Sequence, residues 1–131
     1  ENLEDKYSKA LNHRENKEYR DANFVLNEII NSNSASIEMK IESYFLMAQS
    51  FLDLEFYEES VEIYKKIISF DIDHTIKKKS LFMLGYIYNN NLDMYSDSKQ
   101  YYNIFKNKYP KDDLIPSVDY ELDQIEKIIN N

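Results

Sequence analysis

Ser80-Leu81-Phe82-Met83-Leu84-Gly85-Tyr86-Ile87-Tyr88, a polar gap, then Tyr95-Ser96-Asp97-Ser98-Lys99-Gln100-Tyr101-Tyr102 running on to Tyr109-Pro110: this stretch decides the fold. Leu81, Leu84, Gly85 and Tyr88 recur at steps of three and four, which puts them on one face of a helix. Ser98, Tyr102 and Phe105 make a second such stripe. A glycine inside a helix costs about 1 kcal/mol relative to alanine. Gly85 therefore implies a partner helix so close that a larger side chain would clash. Pro110 cannot continue a helix and marks its end. The stretch reads as two helices folded into a hairpin.

The same grammar recurs upstream. Tyr44, Met47, Ala48 and Phe51 form a first stripe, and Tyr57, Ser60, Tyr64 and Ile67 a second. Ala48 stands 37 residues before Gly85, and Ala10 stands 38 before Ala48. With Ala10 come Tyr7 and Leu11, then Tyr19, Ala22, Leu26 and Ile29. Ala10 to Tyr19 and Ala48 to Tyr57 are both nine residues, while Gly85 to Tyr95 is ten. The third hairpin therefore carries one extra residue in its turn, within residues 89–94. Past Pro110, Pro116 suits a first helical turn. Val118, Leu122, Ile125 and Ile129 then form a stripe opposite Asp119, Asp123, Glu126 and Lys127. This last segment reads as a seventh helix covering the open face of the third hairpin.

Small residue, aromatic, turn, Tyr, then small residue and aromatic, closing on Tyr109-Pro110, resembles the tetratricopeptide repeat. The resemblance covers nearly the whole chain and is strongest from Lys79 to Pro110. It implies an all-α, right-handed α-solenoid of about three helix-turn-helix hairpins with a C-terminal capping helix. The expected single domain spans residues 1–131, with repeats at 2–34, 40–72 and 77–110 and the cap at 115–130. Spacings of 37 and 38 exceed the family's usual period of about 34, so the loops between repeats must be longer. Ser34 and Ile72 stand near the place of the closing proline, and Ser60 and Ser98 replace the usual alanine. Lys6, Lys9 and His13 make the first hairpin the most degenerate. A solenoid end tolerates this because it has one neighbour only.

Composition narrows the partners. The formal net charge is −8, which argues against nucleic acid, since phosphate binding needs a basic surface. It argues equally against anionic membranes. One Gly, two Pro and no Cys disfavour a many-stranded fold and remove disulfide, thiolate and Cys-metal chemistry. No apolar run reaches the roughly 18–20 residues of a membrane span. The chain opens at Glu1, so a processed form is expected, with a targeting segment or lipid anchor lost from its N-terminus.

Candidates for chemistry are few. Asp71, Asp73 and His74 faintly suggest a metal cluster, against a polar loop whose helix is capped by Asp73 or Thr75. His13 sits at a polar helix end. Glu58 and Glu59 suit the first turn of a helix, where acids complement the dipole. Lys77, Lys78 and Lys79, the only basic run, read as a solvated face. No glycine-rich phosphate loop or nucleophile elbow occurs, so no catalytic residue, cofactor or metal is expected.

The surface that invites a partner is the face of each hairpin's first helix. With Ala48 and Gly85 turned to the second helix, Phe45, Gln49 and Leu52 face the concave side. So do Phe82, Tyr86 and Asn89, with Tyr7 and Leu11 in the first repeat. Aromatic rings beside amides suit an extended or helical peptide; the alternative is that the rings fill space between neighbouring hairpins. Family members that clamp a C-terminal carboxylate use Lys, Asn and Arg here, where this chain offers Tyr7, Leu11, Phe45, Phe82 and Met83. That activity is not carried over. The resemblance implies a non-catalytic scaffold holding a protein or peptide. Residues 81–88 with Tyr109-Pro110 are also similar to repeats of bacterial envelope proteins, among them outer-membrane assembly lipoproteins and periplasmic cell-division proteins. Periplasmic or outer-membrane association is therefore expected over the cytoplasm. A cytoplasmic adaptor and a helical accessory subunit of an enzyme remain open.

Overall fold

A computed structural model describes residues 2–131 and shows seven helices, with no strand among them. They are α1 (Leu3–Glu15), α2 (Tyr19–Ile30), α3 (Ile37–Asp53), α4 (Tyr57–Ile68), α5 (Thr75–Asn90), α6 (Tyr95–Lys108) and α7 (Ile115–Ile129). The expected all-α helical-repeat architecture is the observed one. The chain forms two compact units, Glu1–Phe70 and Asp71–Asn131. In the first, α1 packs on α2, α2 on α3 and α3 on α4; in the second, α5 packs on α6 and α6 on α7.

The first unit is built on Ala10, Val25, Leu26, Ile29, Ile30 and Met47, with Tyr7, Tyr44, Phe51 and Ile63 partly buried against them. Ala10 is the one buried residue of α1, as the polar Lys6, Lys9 and His13 foretell. In the second unit Leu81, Leu84, Ile87, Tyr88, Tyr102, Phe105, Val118 and Ile125 are buried. The α7 stripe fades toward its end, where Ile129 is half exposed.

The turns repeat more strictly than the side chains do. Lys17, Glu55 and Asp93 have φ of 59°, 63° and 52°, a left-handed backbone that non-glycine residues rarely adopt. They lie 38 residues apart, from 17 to 55 and from 55 to 93. In the first turn the Glu18 N–H donates to the His13 carbonyl at 2.8 Å and the Lys17 N–H to Arg14 at 3.0 Å. In the second, Phe56 N–H donates to Phe51 at 2.8 Å and Glu55 N–H to Leu52 at 2.9 Å. Both pairs satisfy carbonyls left open at a helix end. The apolar contact that accompanies such an ending is Phe51 on Phe56, with ring centroids 6.3 Å apart. The first turn places His13 and Glu18 at those two positions, and their side chains meet at 3.0 Å. The third turn holds the expected extra residue, and its Met94 N–H reaches back to Tyr88 at 2.9 Å.

Three of the seven helices, α1, α3 and α5, begin at a side-chain cap. Asn2 and Ser36 accept from the N–H groups of Asp5 and Met39, the usual role of a short polar side chain there. The sequence reading of Asp73 or Thr75 as the cap of α5 is corrected: His74 holds that place, its Nδ1 accepting from Ile76 N–H at 3.1 Å. An imidazole nitrogen is an acceptor as serviceable as a carboxylate, and no cap preference singles it out. Pro116 falls in the first turn of α7 as its fixed φ allows.

Candidate interaction surfaces

What holds each hairpin shut determines which side chains are left to bind. A Cβ added to Gly85 would lie 2.5 Å from the Tyr102 ring, so the missing side chain of α5 makes room for the aromatic of α6. The Ser98 hydroxyl donates to the Gly85 carbonyl at 2.6 Å, and Ser60 donates to Ala48 at 2.8 Å. Serine at these places is therefore a cross-helix tie, where alanine would only fit. Tyr64 and Tyr102 are fully buried, and neither hydroxyl has a hydrogen-bond partner among the described residues. Burial raises both phenols well above their ordinary value, so they stay protonated and serve as packing.

A further tie joins α1 to α3. Arg14 donates to Ser50 Oγ at 2.7 Å and to Asp53 at 3.2 Å, while its guanidinium lies 5.5 Å from the Tyr19 ring centroid. Arg14 serves both packing and charge.

The expected partner-facing residues divide between the units. In the first, Tyr7 is partly buried against the core, and burial, with Glu42 nearby, raises its phenol. Phe45 meets Tyr64 edge-on at 5.8 Å. Gln49 and Leu52 are half-buried, and Leu11 is 42% exposed. In the second, Phe82 packs against Tyr102 and Phe105 at 5.9 and 6.0 Å and stacks with Tyr86 at 6.4 Å. Tyr86 itself is 40% exposed. Asn89 donates to Glu121 of α7 at 3.0 Å, a contact that sequence periodicity gives no means of finding. Leu11 and Tyr86 are thus the members of the set with most surface to offer, while Phe82 and Phe45 also support the hairpins beneath them.

The polar clusters resolve into structural roles. Lys78 pairs with Asp112 at 2.7 Å and lies 6.0 Å from the Tyr109 ring centroid, so one lysine of the basic run anchors the loop after α6 to α5. The hydrogen bond from Lys78, with that from Leu114 N–H, holds the Asp112 carboxyl below its ordinary value. Glu126 is lowered likewise by Lys99, on α6. His74 is engaged as a cap. His13, Glu18 and Asp21 bring ligand atoms within 4.8 Å of one another, a cluster sequence reading missed because its members flank a turn. His13 and Glu18 are already paired there as the closing contact of the hairpin.

Helical hairpins, each tied by a small-residue contact and closed by a left-handed turn, define an all-α repeat protein. Residues 79–112 match the family model described as tetratricopeptide repeat. The match falls on the hairpin of α5 and α6, where Gly85, Ser98 and Tyr102 carry the packing. No curated protein matches the chain.

Proposed function

We propose that the chain is a tetratricopeptide-type interaction domain, without catalytic activity of its own, that holds a peptide or subunit partner on the faces of its first helices. The observation that carries this reading is that each unit leaves a large side chain of a first helix in solvent: Leu11 on α1 is 42% exposed beside the buried Ala10, and Tyr86 on α5 is 40% exposed between the buried Gly85 and Ile87. Exposed rings and aliphatics on a scaffold held by buried ties supply binding surface at low conformational cost. Gln49, beside Phe45 and Leu52, adds an amide that can meet a partner's backbone. The match at residues 79–112 supports the reading, since repeats of that family hold protein partners.

We further place the domain in a bacterial envelope complex, exported or carried on a lipid anchor. This placement rests only on the envelope-type repeat pattern read in the sequence at residues 81–88 and Tyr109-Pro110. Fractionation of native cells tests the placement, and recovery in the cytosolic fraction alone would reject it. Affinity capture from the native host tests the binding surface. Tyr86→Ala and Leu11→Ala should each reduce recovery of the specific partner severalfold while the helical circular dichroism stays unchanged. Phe82→Ala is less informative, because Phe82 also supports Tyr102 and Phe105. Full recovery with both folded variants would end the proposal.

A further inference from the structure

We propose a second docking surface on the first unit, apart from the Phe45, Gln49 and Leu52 face of α3: an acid-rimmed apolar depression that takes the apolar anchor of a basic partner segment. The site is a shallow apolar depression, open to solvent, of about 370 Å³, lined by Phe51 of α3 and by Glu58, Glu59, Glu62 and Ile63 of α4. Its floor is preformed. Phe51 and Ile63 pack against the core of the unit, and Phe51 is further braced by Phe56. The three glutamates are exposed above that floor. Lys65 reaches Glu62 at 3.6 Å, an exposed pair of the kind that contributes little and is easily exchanged.

Local helix stability accounts for part of this arrangement only. Glu58 and Glu59 lie in the first turn of α4, whose start has no side-chain cap, and there acids favour the helix dipole. That explains neither Glu62, in the next turn, nor the apolar floor beneath the rim.

Size and charge select the occupant. The volume lies toward the lower end of ligand pockets, which run from about 300 to about 1,000 Å³, and suits one or two side chains. Carboxylates around an apolar seat repel an anion and leave a neutral aliphatic group without polar complementarity. A leucine-like anchor flanked by lysine or arginine satisfies floor and rim together. The chain's net charge of −8 favours approach of the same partner.

The test uses the full chain, the capped peptide Lys-Lys-Leu-Leu-Lys-Lys and a counterpart with glycine in place of leucine. Nuclear magnetic resonance should show shifts at Phe51 and Ile63 on addition of the leucine peptide. Fluorescence polarisation should show its affinity falling severalfold in Glu59→Gln/Glu62→Gln, which removes the charge without placing a cation at the start of α4. Tyr86→Ala should leave this binding unchanged, so the outcome is separable from that of the first-helix reading. Equal binding of the glycine peptide would reduce the effect to unspecific charge attraction and overturn the proposal. Shifts confined to other residues would do the same. So would a concentration-dependent dimer abolished by Ile63→Lys, since a second copy of the chain would then fill the depression.

Discussion

Gly85 and Tyr102 are a matched pair, and their counterparts show how the match is tuned. The first hairpin places Ala10 and Leu26 at the equivalent positions, the second Ala48 and Tyr64, the third Gly85 and Tyr102. Gly85→Ala should gain about 1 kcal/mol of helix propensity, yet its Cβ would meet a buried ring at 2.5 Å. Overpacking of this kind costs about 1–3 kcal/mol. The net expectation is a loss of stability in urea unfolding. Gly85→Ala/Tyr102→Leu, which recreates the first hairpin's solution, should lose less stability than the two single changes added together. Simple additivity would show that the two residues do not compete for the same space. The turns offer a change of opposite sign. Glu55 has φ 63°, and such a conformation costs a non-glycine residue about 1–2 kcal/mol. Glu55→Gly should therefore stabilise, by about 0.5–1 kcal/mol once the extra freedom of the unfolded glycine is subtracted. A lowered urea midpoint would contradict this.

Helices and their joints respond to solution conditions as well as to substitution. The loop after α6 is fastened to α5 through Asp112 and Lys78. Asp112 binds its proton less readily in the folded state than in the unfolded one, where the ordinary value is 3.8. Its contribution is complete above that value and is lost as the pH falls through the lowered folded one. As the pH falls through and below that ordinary value, Asp112→Asn should flatten the fall in stability measured by urea midpoints. An acid limb identical to that of the unaltered chain would show the pair to be energetically silent. Much at this scale was legible in the sequence. The stripes through Leu81, Leu84 and Gly85 or Ser98, Tyr102 and Phe105 are the observed buried faces, because periodicity records which side of a helix avoids water. The extra residue of the third turn was legible by counting alone. The cap at His74, the hold of Glu121 on Asn89 and the role of Lys78 were not. Each depends on a side chain meeting a group that the one-dimensional pattern does not bring near.

Across the molecule, the candidate surface was less legible than the fold. Periodicity assigned Tyr7, Phe45, Phe82 and Asn89 to one face, but a face carries no record of what already covers it. Phe82 lies on its own hairpin and Asn89 is engaged by α7, which leaves Leu11 and Tyr86 as the more exposed members. Charge adds a property of the whole chain. With a net −8, capture of a basic partner should weaken as salt rises from about 50 to about 500 mM, because screening shortens the reach of the field. Recovery independent of salt would point to a neutral, apolar contact. Finally, the shared backbone torsion at positions 17, 55 and 93 makes these sites natural splice points. Residues 17–54 copied a second time after Leu54 would join a left-handed residue to the same kind of helix end it already follows. The chain could thereby be lengthened by one whole hairpin without devising a new joint. Its modularity resides in three torsion angles, although a lysine, a glutamate and an aspartate occupy them.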